Sequence, residues 1–240
     1  MKYIQTLLLI ITLTSFSQNR KYQITYDFTQ NAKDIKLITN IKTYLTGNGQ
    51  VSVYEEDFAN IKSKSLDENL ISIKTLNNPI FYKDLQNKKA IFNDQIKMKF
   101  FNIVDAGITF DWKIEQETKI ILGYNCQKAT IRFRGRDFVV YFTSEIPFSD
   151  GPWKFSGLPG LILEVKSDDP LHTYDIIAEK IEFKDSKEKI DNIYLNQDTI
   201  TYEEFLKIYR RKYEESISNM DSNGFTRGMN KGFMEFYITE

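Results

Sequence analysis

The stretch Asp150–Val165, "DGPWKFSGLPGLILEV", holds three of the chain's 11 glycines and two of its 5 prolines, beside two large aromatic rings. A phosphate-binding loop would need its glycines to lead into a helix N-terminus, and a nucleophile elbow would need the spacing Gly-x-Ser-x-Gly. Here the glycines lead into the aliphatic run Leu161–Val165, and Ser156 is followed directly by Gly157. The stretch is therefore predicted to be a turn that enters a buried strand.

The tetrapeptide Leu158-Pro159-Gly160-Leu161 is expected to form the turn itself. Proline fixes φ and glycine tolerates positive φ, which suits the two central positions of a type II turn. Leu158 would then close one segment, and Leu161 and Ile162 would open a buried strand. The rim of a binding groove is an alternative interpretation of this stretch, and a catalytic loop is a weaker one.

The residues just before the turn carry most of its aromatic surface. Trp153 and Phe155 are expected to cover the sheet, because rings of this size bury large apolar areas. Lys154 lies between them and is expected at the surface, where lysine side chains are usually found. Together with Gly157 and the turn residues, the two rings form the candidate binding segment.

Apolar and polar residues alternate with a period of two along most of the chain. Tyr22, Ile24, Tyr26 and Phe28 show this pattern of a half-buried strand clearly. Turn-forming residues separate further runs, namely Asp34–Leu45, Val51–Glu55, Ile71–Lys74, Ile80–Asp84, Lys89–Phe92, Gln95–Asn102, Ile108–Glu115, Lys119–Leu122, Lys128–Arg134, Phe138–Thr143, Leu161–Lys166 and Thr173–Phe183. The pattern predicts a mainly β fold built on a single antiparallel, strongly curved meander sheet, a half-barrel or open barrel.

One C-terminal helix is predicted near residues 201–217. Thr201 and Glu204 have the spacing of a capping box, and Phe205, Ile208 and Tyr209 then begin one apolar stripe. The helix completes a β domain predicted to span residues 18–218. A polar, glycine-rich tail is expected over residues 219–240 and is predicted to be mobile.

Residues 1–17 are predicted to be a signal peptide. Lys2 precedes an apolar run that ends near Leu13, and the small residues Ser15 and Ser17 follow. The run is too short to span a bilayer comfortably. We therefore expect an exported protein without a transmembrane segment after cleavage, located in the periplasm, at the outer-membrane periphery or outside the cell.

The composition of the chain argues against several classes of function. A formal net charge of −1 without a basic stripe argues against nucleic acid as a partner. The single cysteine cannot form an intramolecular disulfide. With one histidine, one cysteine and no nucleophile–base spacing, the sequence assigns no catalytic residue, no metal site and no cofactor.

Each of the isolated polar residues has both a structural and a functional interpretation. Cys126 is expected to be buried and inert, with a reactive thiol as the alternative. His172 is expected in an exposed turn, with a metal ligand or general base as the alternative. Asp168 and Asp169 are predicted to be solvated turn carboxylates, with a hard-cation site shared with Asp150 as the alternative.

Arg132, Arg134 and Arg136 alternate along one predicted hairpin. Residues two apart on a strand point to the same side, so these three charges are expected to project together. The pattern is typical of a solvated hairpin tip, and a patch for an anion or a lipid phosphate is the alternative.

The hexapeptide Gly157–Ile162 resembles the signature of the GLPGLI family, which comprises secreted proteins of the Bacteroidetes. The preceding segment "ETKIILGYNCQKATIRFRGRDFVVYFTSEIPFSDGPW" is similar to the strand and hairpin of that family. The resemblance is strong over Trp112–Val165 and weak elsewhere. It implies export and a β-rich domain, and it brings no established activity, cofactor or catalytic residue.

Three function classes follow from these observations. A binding or carrier protein for an amphiphilic ligand or peptide is favoured, because 18 phenylalanines and 14 tyrosines suffice to line a groove as well as a core. The lipoprotein-carrier half-barrels are an analogy at the level of fold. An accessory protein that binds an outer-membrane receptor is the alternative, and a hydrolase is the weakest of the three.

Overall fold

The computed structural model describes residues 20–65, 78–218, 229, 231–232 and 234–238. The predicted signal peptide, residues 1–17, and the predicted strand Ile71–Lys74 lie outside this part of the chain. Within it, thirteen strands form one sheet, followed by helix α1, Tyr202–Ser218. The strands are β1 Arg20–Ala32, β2 Leu37–Gly47, β3 Val51–Glu56, β4 Lys62–Ser65, β5 Ile80–Asp84, β6 Lys89–Ile96, β7 Lys99–Ala106, β8 Lys113–Ile121, β9 Tyr124–Phe133, β10 Arg136–Thr143, β11 Leu161–Asp168, β12 His172–Asp185 and β13 Ile200–Thr201.

Two meanders meet at the centre of the sheet. From β1 the chain runs outward through β2, β3, β5, β6 and β7, then crosses to the opposite edge and returns from β8 to β12. There β12 pairs with β1 in antiparallel register. The short β13 pairs in parallel with β7, and β4 pairs with β2. In the described residues the end strands β13 and β8 do not pair with each other, so the sheet is open. The predicted mainly β fold, with a single curved and open sheet and one C-terminal helix, is confirmed; the crossover to β8 and the parallel pairing of β13 divide the expected single meander into two.

Buried charges hold the two sides of the curled sheet together. Asp105 lies on β7, near one edge, and Arg134 lies in the β9–β10 turn, near the other. Arg134 donates two hydrogen bonds to the Asp105 carboxylate, at 2.7 and 2.8 Å. Contact between such distant parts of one sheet requires strong curvature, which gives the sheet a concave and a convex side.

The core fills part of the concave side. On β1, Tyr22, Ile24 and Tyr26 are fully buried, while the residues between them are partly exposed, as the alternation predicted. The Tyr22 hydroxyl donates to Asp150 at 2.6 Å, and the Tyr26 hydroxyl donates to the Ile162 carbonyl oxygen at 2.8 Å. These bonds fasten the segment that links β10 to β11 across the concave face.

Helix α1 packs beside β7. The predicted capping box is confirmed, because the Glu204 N–H donates to Thr201 Oγ1 at 3.2 Å and the Thr201 N–H donates to Glu204 Oε2 at 2.8 Å. Phe205 and Tyr209 on the apolar stripe are buried, and the Phe205 ring lies 5.9 Å from that of Phe101. None of the helices in the described residues is both long and apolar enough to cross a lipid bilayer.

The described part of the C-terminal tail is packed, which corrects the prediction of a mobile tail for these residues. Met234 and Glu235 are buried. The Tyr237 ring lies 4.8 Å from Tyr209 and 5.2 Å from Phe205. The Phe236 N–H donates to the Arg134 carbonyl oxygen at 3.0 Å. Four of the five residues Met234–Ile238 are apolar or aromatic, and they dock this part of the tail onto the helix and the sheet, whereas the polar composition of the residues before them had suggested a mobile tail.

Several predicted strand bounds were wrong at tight turns. The predicted strand Gln95–Asn102 is divided between β6 and β7, because Lys97 adopts a φ of +56° in a two-residue turn. No Gly, Asn or Pro marks that turn, so the sequence offered no turn signal. The predicted strands Ile108–Glu115 and Lys119–Leu122 are replaced by the single strand β8, which contains an irregularity between Ile114 and Thr118.

The predicted type II turn at Leu158–Leu161 was also wrong. Gly160 has a φ of +156° rather than the roughly +80° of a type II turn. Its N–H donates to the Leu158 carbonyl oxygen at 2.8 Å, which makes Pro159 the centre of a three-residue turn. The Leu161 N–H donates instead to Ile146, at 3.1 Å. Leu158 and Leu161 are buried on either side, as predicted.

Candidate ligand-binding cavity

A cavity of about 470 Å³ lies on the concave side of the sheet, between its strands, helix α1 and the C-terminal segment. Its apolar lining is largely aromatic and includes Phe28, Phe81, Phe92, Trp153, Tyr174 and Tyr209. Glu56, Asn93, Asp94 and Gln95 add polar groups. This volume falls in the range of small-molecule sites, roughly 300–1,000 Å³, and so does the combination of aromatic walls with a few polar groups.

Strand periodicity places a carboxylate on the concave face. On β3, Ser52, Tyr54 and Glu56 are buried, and the residues between them are only partly buried. Because side chains alternate between the faces of a strand, Glu56 must point to the same side as the fully buried Tyr54. Strand β3 thus presents an acidic side chain to the aromatic interior of the sheet.

Glu56 is the least satisfied charged group of the cavity. The residue is 7% exposed, and among the described residues no hydrogen-bond donor or cation reaches its carboxylate. Burial, with a further contribution from the charge of Asp94, raises the pKa of Glu56 to about 8. The group is therefore mostly a neutral carboxylic acid at pH 7 and faces the cavity as both donor and acceptor.

Asp94 supplies the second carboxylate. The Tyr237 hydroxyl donates to Asp94 Oδ2 at 2.5 Å, and the Gln95 N–H donates to Oδ1 at 2.6 Å. Burial raises the pKa of Asp94 despite these hydrogen bonds, which oppose the shift. Asp94 is thus held in place by β6 and by the C-terminal segment, beside the free carboxyl of Glu56.

The third carboxylate of the lining, Glu235, is neutralised. Lys154 pairs with Glu235, and Arg134 lies 2.6 Å from the other Glu235 oxygen. Lys154 also lies 3.2 Å from Asp105. Burial alone would raise the pKa of Asp105, but the hydrogen bonds and charges of Arg134 and Lys154 outweigh it and hold this pKa below its usual range. The four side chains form a buried network of two cations and two anions behind the cavity wall.

The predicted binding segment contributes one side chain to this cavity, Trp153. Trp153 is 3% exposed and adopts a φ of +54°, a conformation that costs a non-glycine residue about 1–3 kcal/mol. Phe155 packs instead against Phe138, with ring centroids 4.9 Å apart. The remaining members do not reach the cavity: Leu158, Leu161 and Ile162 are in the core, Gly160 is buried, and Gly157 and Pro159 are exposed.

Lys154 is buried rather than exposed, which corrects the prediction for it. Its side chain has no exposed area, and its ammonium group lies 3.9 Å from the centroid of the Phe92 ring. Local sequence indicated a surface lysine, because its two anionic partners come from distant positions along the chain.

The three arginines do not project together, which corrects the hairpin prediction. The Arg132 side chain is 66% exposed and pairs with Asp137 at 2.7 Å. Arg134 turns into the buried network, and Arg136 is buried beside Asp169 and lies over the Tyr174 ring at 4.8 Å. The tight turn at Arg134 and Gly135 breaks the strand alternation, so the three charges enter three environments. Each has a carboxylate partner, which leaves no shared anion patch on this hairpin.

The other candidate residues also lie apart. Asp150 is buried and pairs with Lys83 at 2.5 Å, whereas Asp168 pairs with Lys33 and Asp169 with Arg136. No group of three metal-ligating side chains occurs in the described residues. His172 is half-buried and stacks on Tyr174, with ring centroids 5.9 Å apart. Cys126 is buried, as predicted, and burial raises its pKa to about 11.

The sequence interpretation missed Glu56, Asp94 and Tyr237. Glu56 had a usable signal, because it continues the inward-facing series Ser52 and Tyr54 on a strand with a period of two. Asp94 and Tyr237 had none, because their contact joins β6 to the C-terminal segment over 143 positions.

A family model described as "N-glycanase peptide, N-terminal domain" matches residues 24–204. The match spans most of the chain and includes Gly157–Ile162, the residues that suggested the GLPGLI family. That resemblance was therefore wrong. It depended on a short motif whose glycine and leucines serve a close-packed turn into a buried strand, a structural need that is not specific to one family. None of the curated proteins matches the chain.

Two solved structures of PNGF-II, in the C2 and P21 space groups, are similar to this chain with a TM-score of 0.51 each. Their sequence identities are 17% and 16%, and each alignment covers 81% of this chain. The alignments cover 33% and 34% of PNGF-II, so this chain spans about one third of its length. The likeness shows a shared fold. A structure of LprF from Mycobacterium bovis aligns with a TM-score of 0.31 and 10% identity over 71% of this chain and 89% of LprF, too low to support the lipoprotein-carrier analogy.

Proposed function

The chain belongs to the family of N-glycanase peptide N-terminal domains, and we propose that it is an exported, non-enzymatic binding domain whose cavity holds an amphiphilic ligand or a peptide segment. The observation that carries this proposal is the cavity of about 470 Å³ on the concave side of the sheet. Its aromatic walls provide apolar contact area, and its few polar groups provide orientation.

The polar groups favour binding over catalysis. Glu56 and Asp94 are the two carboxylates of the lining that no Lys or Arg neutralises in the described residues. The described lining contains no His, Cys, Ser or Thr side chain beside either of them. Carboxyl groups and amides in an aromatic cavity are suited to hydrogen-bonding a held ligand, and this arrangement needs no reaction.

Family membership supports a second candidate, an accessory domain for glycoprotein ligands. The family description names an N-glycanase, and the chain corresponds to about one third of PNGF-II. In this candidate the ligand is a peptide segment that bears an N-linked glycan. A polypeptide partner in the outer membrane is a further candidate for the same surface.

Mass spectrometry of the purified protein, without detergent and under native conditions, tests the proposal directly. A retained amphiphile or peptide supports the binding domain, whereas a stoichiometric folded polypeptide supports the accessory role. The variant Gln30→Phe places a larger side chain at the cavity and is expected to displace the ligand, because Gln30 lines it. Gln23→Phe is the matched control, since Gln23 lies on β1 but on the other face.

Titration then identifies the ligand class. Trp153 lines the cavity and Trp112 does not, so a Trp112→Phe variant reports binding through the fluorescence of Trp153. A lysophospholipid, an N-glycopeptide and its deglycosylated form are the three probes. If none of them changes the fluorescence, no ligand is retained and Gln30→Phe behaves like Gln23→Phe, the binding function is wrong.

A further inference from the structure

We propose that the cavity binds a cation, a primary amine or guanidinium on an apolar stem, with Glu56 as its counter-ion. This inference rests on the proposed binding function and names the ligand chemistry of the same cavity. It depends on the pairing of buried carboxylates, the charge balance of the lining and the aromatic walls.

Glu56 is an exception among the buried carboxylates. In the described residues, the buried acidic residues are Glu56, Asp105, Asp150, Glu164 and Glu235. All but Glu56 have a lysine or arginine within ion-pair distance. Buried charges are costly unless they are paired, and this protein otherwise follows that rule. An unpartnered carboxyl that faces a cavity is therefore explained most simply by a partner that arrives with the ligand.

The cavity lining has more acidic groups without a basic partner than basic groups, which favours a cationic ligand. Asp94 accepts hydrogen bonds but has no basic partner within ion-pair distance among the described residues, and Glu235 is neutralised by Arg134 and Lys154. Among the described residues, Lys97 is the one cation that lines the cavity, and it is exposed, at the β6–β7 turn. Two carboxyl groups inside and one cation at the mouth favour a positively charged guest over an anion.

The aromatic walls suit the same guest. A cation is attracted to the face of an aromatic ring within about 6 Å of its centroid. The protein already uses this contact beside the cavity, where the Lys154 ammonium lies 3.9 Å from the Phe92 centroid. The rings of Phe28 and Tyr174, which lie 6.1 Å apart, also line the cavity. Together with Ile41 and Phe58 they provide apolar contacts for a methylene stem.

Proton linkage gives this inference a second readout. The groups that act electrostatically on Glu56 or respond to it are Asp94 of β6, Tyr54 of β3 and Tyr174 of β12. Because the pKa of Glu56 is about 8, a cation that binds beside it at pH 7 must displace the proton of the Glu56 carboxyl group. Affinity should therefore rise between pH 6 and about pH 8, and calorimetric heats at pH 7 should depend on the ionisation enthalpy of the buffer.

Calorimetric titration with two probes tests the inference and distinguishes a small-molecule amine from a lysine side chain as the ligand. Hexylamine stands for a small amine, and acetyl-Gly-Gly-Lys-Gly-Gly-amide stands for a lysine side chain in a peptide. Binding of hexylamine alone assigns a small-molecule amine, whereas stronger binding of the peptide assigns a polypeptide. The norleucine analogue of the peptide, which lacks the charge, should bind about tenfold or more weakly.

Glu56→Gln keeps the shape of the side chain and removes its charge, and it should weaken amine binding about tenfold or more. Glu55→Gln is the matched control, because Glu55 lies next to it on the other face and bonds Asn78 at 2.9 Å. Equal affinity in wild type and Glu56→Gln, or a pH-independent affinity, would overturn the inference. If the lysophospholipid or glycopeptide binds and no amine does, the cation inference fails while the proposed binding function stands.

Discussion

The segment Asp150–Ile162, which we call the junction, and the cavity beside it differ in how completely their buried side chains are packed and paired. In the junction, Phe155, Leu161 and Ile162 are fully buried, and Asp150 is paired with Lys83. In the cavity, which has a volume of about 470 Å³, Glu56 is buried without an ion-pair partner among the described residues. Trp153 belongs to both regions. The difference teaches that the motif most conspicuous in the sequence stabilises the fold, while an inconspicuous glutamate faces the candidate ligand site.

The sharpest test of this contrast is Gly160. A Cβ atom at Gly160 would lie far inside contact distance of the Thr143 carbonyl oxygen, a backbone atom that cannot move aside cheaply. Gly160→Ala should therefore lower the free energy of unfolding by about 2–4 kcal/mol, and Gly160→Val by more. Denaturant melts measure both. Pro159→Ala is the control, because Pro159 is exposed, and should cost less than about 1 kcal/mol.

A Gly160→Val protein that melts like the wild type but loses its ligand would reverse the contrast. The junction would then be a recognition element, and the cavity would depend on it for more than support.

Lys154 tests whether the network behind the cavity wall is structural. Lys154→Ala leaves Asp105 and Glu235 with Arg134 as their shared cation, and should cost about 3–5 kcal/mol in a denaturant melt. Arg132→Ala is the matched control: its pair with Asp137 is exposed, and its loss should cost less than about 1 kcal/mol. Similar melts for the two variants would show that the buried network adds no stability.

Substitution of Glu56 should raise the stability of the protein at high pH, whereas the substitutions above lower it. The pKa of Glu56 is raised from an ordinary 4.5 to about 8, so between these values the folded state retains a proton that the unfolded chain has released. The stability this proton confers is fully present below pH 4.5 and is lost as pH rises through about 8, by at most about 1.4 kcal/mol per pH unit. In Glu56→Gln this pH dependence should be absent, and the variant should be more stable than wild type at pH 8. Denaturant melts of both proteins at roughly pH 5, 6.5 and 8, which span the range between the two pKa values, measure this difference.

Substitution of Cys126 should have a small effect on stability and none on ligand binding. Cys126 is buried on strand β9, outside the cavity lining, and burial raises its pKa to about 11. Cys126→Ala should cost about 1–2 kcal/mol and leave ligand binding unchanged. A bulky maleimide should label the native thiol slowly and the denatured thiol fast. Rapid labelling of the native protein would place a second accessible cavity at β9.

Much of the fold was predictable because strands and caps are encoded locally. The alternation of Tyr22, Ile24 and Tyr26 predicted the inward face of β1, and the spacing of Thr201 and Glu204 predicted the start of helix α1. The two-residue turn at Lys97 was not predictable, because its conformation follows from strand pairing on both sides rather than from turn-forming residues.

The sequence by itself determined the β architecture, the helix cap and the burial of Leu158 and Leu161, since each depends on residues within a few positions. Tertiary structure alone decided that Lys154 is buried and that Glu56 has no basic partner in the part of the chain that the structure describes. Lys154 meets Glu235 across 81 positions, so whether a charge is neutralised depends on how far the sheet curls. Periodicity specifies which face a side chain occupies, but the free energy of a buried charge depends on partners that only the closed fold brings within reach.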